Sequence, residues 1–174
     1  QYLADRGPWG REKLWETAFA DSAPYTLPPL RHVASGPSGL CFDPGVGLPP
    51  RFAGRFFLAD FHGTPAGSGV NAIAVAARGA GFEVTDVAPF ATHVLASDCE
   101  FGPDGDLYVL DFVEGWRGPD KGRIHRIVRT DRTPEEERLR DETRRLLTTD
   151  WSGRATEELL ALLGHRDARV RLFA

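Results

Sequence analysis

Six side chains in the middle of the chain could bind a small polar molecule. They are the imidazoles of His62 and His93, the carboxylates of Asp98 and Glu114, the ammonium group of Lys121 and the indole of Trp116. An indole face stacks on a polar ring, and imidazole, carboxylate and ammonium groups exchange hydrogen bonds with hydroxyls. Two imidazoles and a carboxylate are also a donor set of the sort that ligates divalent metals, although spacing alone assigns no metal site. Simpler roles compete. Asp60 and Asp111 end two similar phrases, Leu58-Ala59-Asp60-Phe61 and Val109-Leu110-Asp111-Phe112, and a repeated Asp at a strand end caps loop amides. Trp116 after Gly115 could equally anchor its own loop. Asp104 and Asp106, in Gly102-Pro103-Asp104-Gly105-Asp106, lack the further spaced oxygens of a calcium loop and fit a tight turn. Cys41 and Cys99 stand in no Cys-x-x-Cys pattern, which excludes a c-type haem attachment and a four-Cys zinc site and leaves two buried thiols or a disulfide.

The elements that must position these groups are β first and α second. Of the 19 Gly, 17 precede residue 129, as do 12 of the 13 Pro; residues 129–174 carry 10 Arg against 10 Asp and Glu. Short apolar runs punctuated by Gly and Pro, then a charged Leu-rich stretch, mark that change. The β part repeats. Ser38-Gly39-Leu40-Cys41-Phe42 aligns with Ser97-Asp98-Cys99-Glu100-Phe101 at an offset of 59 residues, and Phe56–Phe61 with Leu107–Phe112 at an offset of 51. Repeats of this length with about four strands each are the mark of β-propeller blades. One blade is expected from strands at Gly39–Phe42, Arg55–Asp60, Asn71–Ala76 and Phe82–Val87. A second has strands at Ser97–Phe101, Asp106–Asp111 and Arg123–Val128.

The domain reading is therefore 1–36, the end of a preceding blade and a connecting loop; 37–128, two blades; and 129–174, a helical linker and a truncated HEAT-like repeat. The fold class is a partial β-propeller followed by a HEAT-like helical segment. Thr133-Pro134-Glu135-Glu136 is a capping box opening a helix to about Leu147, with Leu139, Thr143, Leu146 and Leu147 as a narrow buried stripe. A second helix is expected over 156–163 with Leu159, Leu160, Leu162 and Leu163 inward; His165 falls in the turn after it, and Asp167 opens a third. In such blades the loops 61–70, 90–96 and 112–121 open on one face. That would gather His62, His93, Glu114, Trp116 and Lys121 at one mouth, with Asp98 at an adjoining strand end.

Composition bounds the class. A chain of 174 residues, 41% hydrophobic and 26% charged, suits a folded globular protein. A net charge of −4 gives no electrostatic footprint for nucleic acid. No apolar run reaches the length of a membrane span. The chain has no Met, even at position 1, so the expectation is a piece of a longer protein, with further blades before Gln1 and further solenoid after Ala174.

The set Gly36-Pro37-Ser38-Gly39-Leu40, Gly54-Arg55-Phe56-Phe57-Leu58-Ala59-Asp60-Phe61, Phe101-Gly102-Pro103-Asp104-Gly105-Asp106-Leu107-Tyr108-Val109, Val113-Glu114-Gly115-Trp116 and Lys121-Gly122-Arg123-Ile124 resembles one family. It is similar to the propeller of the membrane-bound dehydrogenase and haem-domain proteins of planctomycete-type bacteria. These are relatives of the soluble glucose/sorbosone dehydrogenases that use pyrroloquinoline quinone (PQQ). The resemblance covers about residues 25–174. It implies a periplasmic or cell-envelope parent that oxidises a sugar-type substrate, holds PQQ and passes electrons to a haem c domain outside this chain. Where those enzymes place a Lys and an Arg-x-Arg at the cofactor, this chain has His62, Leu95 and Ser97; bidentate Arg is the suited partner of a quinone carboxylate. The alternative from another class is a non-catalytic binding or scaffold module, recognising carbohydrate through the propeller or protein through the HEAT-like segment. The chain alone, with PQQ and a redox dye, is expected to turn over no aldose; dye reduction above the protein-free rate would overturn this.

Overall fold

The computed structural model describes residues 30–118 and 120–174. The expected end of an earlier blade at residues 1–29 lies outside the described residues, and residues 30–36 have no regular secondary structure. Strands β1 (Pro37–Phe42), β2 (Phe56–Asp60), β3 (Gly69–Arg78) and β4 (Gly81–Thr92) form one antiparallel sheet in sequence order. Strands β5 (Ala96–Phe101), β6 (Leu107–Asp111) and β7 (Arg123–Ile127) form a second. Helices α1 (Pro134–Thr148), α2 (Thr156–Leu162) and α3 (Ala168–Phe173) follow. The order is β then α, as expected. Strands β3 and β4 run longer than their sequence expectation, because two register shifts keep the Ala/Val-rich hairpin paired down to a two-residue turn at Gly79, whose φ is 57°.

Both offsets of the sequence repeat reappear as pairing. β1 meets β2 with Pro37 opposite Asp60 and Gly39 opposite Ala59, and a bulge between. β5 meets β6 with Ala96 opposite Asp111 and Asp98 opposite Leu110, and the same bulge. The sheets share one local design. They pack face to face through β1, β2 and β5, around Cys41, Phe57 and Ala59 from the first and Cys99, Phe101, Leu107 and Val109 from the second. Equivalent positions do not face each other. Phe57 is buried and its counterpart Tyr108 lies outside the cluster, whereas Val109 is in the cluster and its counterpart Leu58 is not. One face of the first sheet thus meets the opposite face of the second, a head-to-tail stacking. Phe57 makes edge contacts with Phe90 and Phe101 at 4.8 and 5.4 Å, which fill the seam.

The helices dock on the turns of the second sheet through charge. Asp106, whose side chain has no exposed surface, accepts from Arg132 at 2.6 Å and Arg126 at 2.9 Å, with Arg140 at 3.7 Å. Asp104 takes Arg126 at 2.8 Å and the Tyr108 hydroxyl at 3.1 Å. The expected tight turn is there, with Gly102 O accepting from Gly105 N, but its two carboxylates serve as a hub for arginines. Gly105 must be glycine: its φ is 75° and a Cβ there would strike the Val46 carbonyl, while a Cβ on Gly47 would strike the Gly105 carbonyl. In α3, Arg169 joins the Asp167 carboxylate to the carbonyls of Phe101 and Gly102 at 2.9 and 2.8 Å.

Helix α1 has its full capping box, Thr133 with Glu136, and buries Thr143 and Leu146. Helix α2 departs from expectation. Leu160 and Leu163 are exposed and Leu159 and Leu162 only half-buried, because α1 packs on α3 and leaves those leucines uncovered. Replacing Asp106 with Ala should leave Arg132, 4% exposed, with only the longer 3.7 Å pairing to Glu137 and cost about 3–5 kcal/mol. Chemical denaturation of the variant against the parent chain reads this directly, and a loss below 1 kcal/mol would remove the hub from its structural role.

Candidate functional site

Asp60 and Asp111 end equivalent strands, and each does two jobs. Asp60 Oδ1 accepts from the Gly36 amide at 2.8 Å and pairs with His62 Nε2 at 2.9 Å. Asp111 accepts from the Val113 amide at 2.8 Å and pairs with His125 Nε2 at 2.9 Å. The amide-capping role expected of the repeated aspartates is present, joined in each sheet by an imidazole. A carboxylate partner accepts from Nε2–H and leaves Nδ1 of His62 for a second polar partner. Burial pushes the Asp111 carboxyl up, but hydrogen bonds from His125 and the Val113 amide and the charge of Arg123 outweigh it and leave the group below the usual carboxylate range.

The loops after β2, β4 and β6 meet at one end of the sheets. Phe112 N donates to Leu95 O at 3.0 Å, which ties the third loop to the second. Phe61 and Phe112, the two residues that follow the repeated aspartates, stack at 6.4 Å. Trp116 stands edge-on to both, at 5.5 and 5.6 Å, and remains 74% exposed. It is held by its neighbours but not packed beneath its own loop. Val113 and Gly115 adopt φ of 58° and 61° and bend the loop there.

The remaining candidates divide. His93 sits at a φ of 60° and contacts the Thr92 hydroxyl at 3.1 Å. With Asp60, Ser68, Asn71 and Thr92 it lines a cleft of about 230 Å³. Glu114 and Lys121 form an exposed ion pair at 3.1 Å within the loop that carries Trp116. Asp98 is the third residue of β5, near the strand end that adjoins the loop after β4; it lies against Gly39 of β1, and its Oδ1 accepts from the Cys99 amide at 2.8 Å. The bulge between Ala96 and Asp98 turns it there. Among the described residues no three His, Cys, Asp or Glu side chains gather as a metal site.

Leu95 is fully buried, and Ser97 Oγ donates to Leu110 O at 3.4 Å. Neither could meet a quinone carboxylate with charge, so the residues here do not fit PQQ held in the family's manner. Sequence reasoning missed His125, Phe61 and Phe112 as site residues. His125 reaches Asp111 diagonally across the β6–β7 pairing, in which it stands opposite Val109, a relation that only register reveals. The phenylalanines were visible as the second residue of each Asp-Phe.

No family model, curated protein or solved structure matches the chain. No described helix is long and apolar enough to cross a membrane.

The lowered Asp111 pKa carries a pH signature. The carboxyl binds its proton less readily folded than unfolded, so its stabilising contribution is present above the unfolded value near 3.8 and is lost as pH falls through the folded value. Asp111→Asn should therefore lose stability at pH 7 and show a flatter loss of stability below pH 4 than the parent chain. Parallel acid-denaturation slopes would count against the Asp111 pairing.

Proposed function

We propose that the chain belongs to a dehydrogenase-like β-propeller and HEAT protein, and that its own part is to recognise a carbohydrate-type ring at the Trp116 platform. The observation that carries this is the indole, braced by two phenylalanines and still 74% exposed. A large aromatic held in place and left open to solvent loses little conformational entropy on binding. Sugar rings present C–H faces that stack on indole and hydroxyls that need partners. Nδ1 of His62, the Glu114–Lys121 pair and the cleft beside His93 offer those partners at the same end of the sheets.

Head-to-tail stacking of two equivalent sheets supports the propeller reading, since blades around an axis stack in that way. It leaves Leu40, Phe42, Leu110 and Ile124 exposed on the outer faces, where further blades would cover them. The three helices and the Asp167 cap support a HEAT-type repeat. Under this reading, sugar oxidation with PQQ and transfer to haem c belong to residues outside the chain, in a periplasmic or cell-envelope parent. A second reading is protein recognition by the helical segment, favoured by the exposure of Leu160, Leu163, Leu172 and Phe173.

The test is tryptophan fluorescence and saturation-transfer NMR with a panel of aldoses and polyols. Trp116→Ala should weaken binding of the preferred ring by roughly tenfold or more, as loss of a stacking partner does. Its stability should fall by no more than about 1 kcal/mol, because the side chain is exposed. Binding unchanged in Trp116→Ala, or no saturation transfer from any member, would refute the assignment.

A further inference from the structure

Cys41 and Cys99 come from different sheets and meet in the middle of the shared core. Their sulfurs are 3.7 Å apart, and Sγ of Cys99 is 3.4 Å from the Phe57 carbonyl. Both thiols are free and buried, 6% and 2% exposed. Each lies on a strand anchored by its own sheet, β1 and β5, and these strands pack directly on each other. From the first sheet's Cys41 to the second's Cys99, the pair spans the apolar seam between the sheets.

We propose that Cys41 and Cys99 form a reversible disulfide that staples the two sheets across this seam. Sulfurs 3.7 Å apart need approach each other by less than 2 Å to reach bonding distance. Cys41 donates its S–H toward Cys99, which draws the Cys99 thiol below its ordinary pKa and pushes that of Cys41 up. That polarity belongs to the closed seam; while the sheets are apart either thiol can lose its proton and attack first, and the route through Cys99 stands for both. The oxidant is a small or protein disulfide. Cys99 displaces one of its sulfurs as a thiolate and forms a mixed disulfide; Cys41 then loses its proton and displaces the other. Two protein thiols become one disulfide, and the oxidant's disulfide becomes two thiols. Burial restricts oxidant to molecules whose sheets have parted or not yet docked, so the staple forms as the seam closes and then resists reduction. The inference stands on the core and does not depend on the sugar-binding reading.

The test compares the 174-residue chain refolded in a glutathione redox buffer with the same chain kept in dithiothreitol. Each is denatured, alkylated with iodoacetamide and weighed by mass spectrometry. The proposal expects no alkylation after the glutathione treatment, a mass lower by two hydrogens and a Tm roughly 10 °C above that of the reduced chain, reversed by dithiothreitol. A Cys41→Ser, Cys99→Ser double variant should show no Tm difference between the two buffers. If it does not fold, the wild-type mass and Tm decide alone. Two alkylated cysteines after refolding in glutathione, a glutathione adduct on either one, or a Tm that falls on oxidation would each overturn the staple.

Discussion

The carboxylate of Asp106 is the hinge of the architecture. It has no exposed surface and sits at the end of a five-residue turn between β5 and β6, where three arginines from three different segments converge. Arg126 comes from β7, Arg132 from the connection to the helices and Arg140 from α1. A buried carboxylate is tolerated only when paired and hydrogen-bonded, so each arginine is fixed in place by the same requirement. Arg132 also reaches the carbonyl of Gly47 at 3.2 Å, on the long β1–β2 connection. One charge therefore ties both sheets and the first helix. An apolar contact could supply comparable stability, but a set of forked guanidinium groups on one carboxylate specifies orientation as well.

The seam between the sheets depends on a different device. Two copies of one strand pattern have stacked head to tail, and the repeat presents opposite faces to the common core. Identical sequences on both faces would fail, because each position would be buried in one copy and open in the other. The chain meets this by divergence at paired positions. Phe57 in the seam corresponds to Tyr108, which is turned out to bond Asp104; Cys41 in the seam corresponds to Glu100, which is exposed. The outer faces keep Leu40, Phe42 and Ile124, apolar where a lone two-sheet unit would place polar groups.

Much of this was legible in the sequence because it rests on local rules. The Thr133 to Glu136 capping box, the Gly/Pro turns and the period of the repeat each have a short-range cause, and the pairing offsets of 59 and 51 residues in the sequence are those of the strands. What stayed hidden rests on pairings between distant elements. The role of Asp104 and Asp106 as an arginine hub needs Arg126, Arg132 and Arg140 brought from up to 36 residues away. His125 required the strand register, and the exposure of Leu160 and Leu163 required knowing that α1 pairs with α3. That Asp98 packs onto Gly39 of the other sheet also depends on a distant element and on the bulge beside it.

The candidate site follows from the same division between repeat and divergence. Each sheet supplies an aspartate that caps a loop amide and a phenylalanine directly after it, and these are set by the repeat. The two phenylalanines end side by side because the strands that carry them are equivalent and stacked. Onto that shared base only the second loop adds Gly115-Trp116, with the backbone bend that stands the indole across both rings. Only the first adds a histidine two residues after its aspartate, while the second draws its own from β7. Rigid repeated strands thus hold the parts in place, and the loops, free of packing constraint, carry the differences that a particular ligand would read.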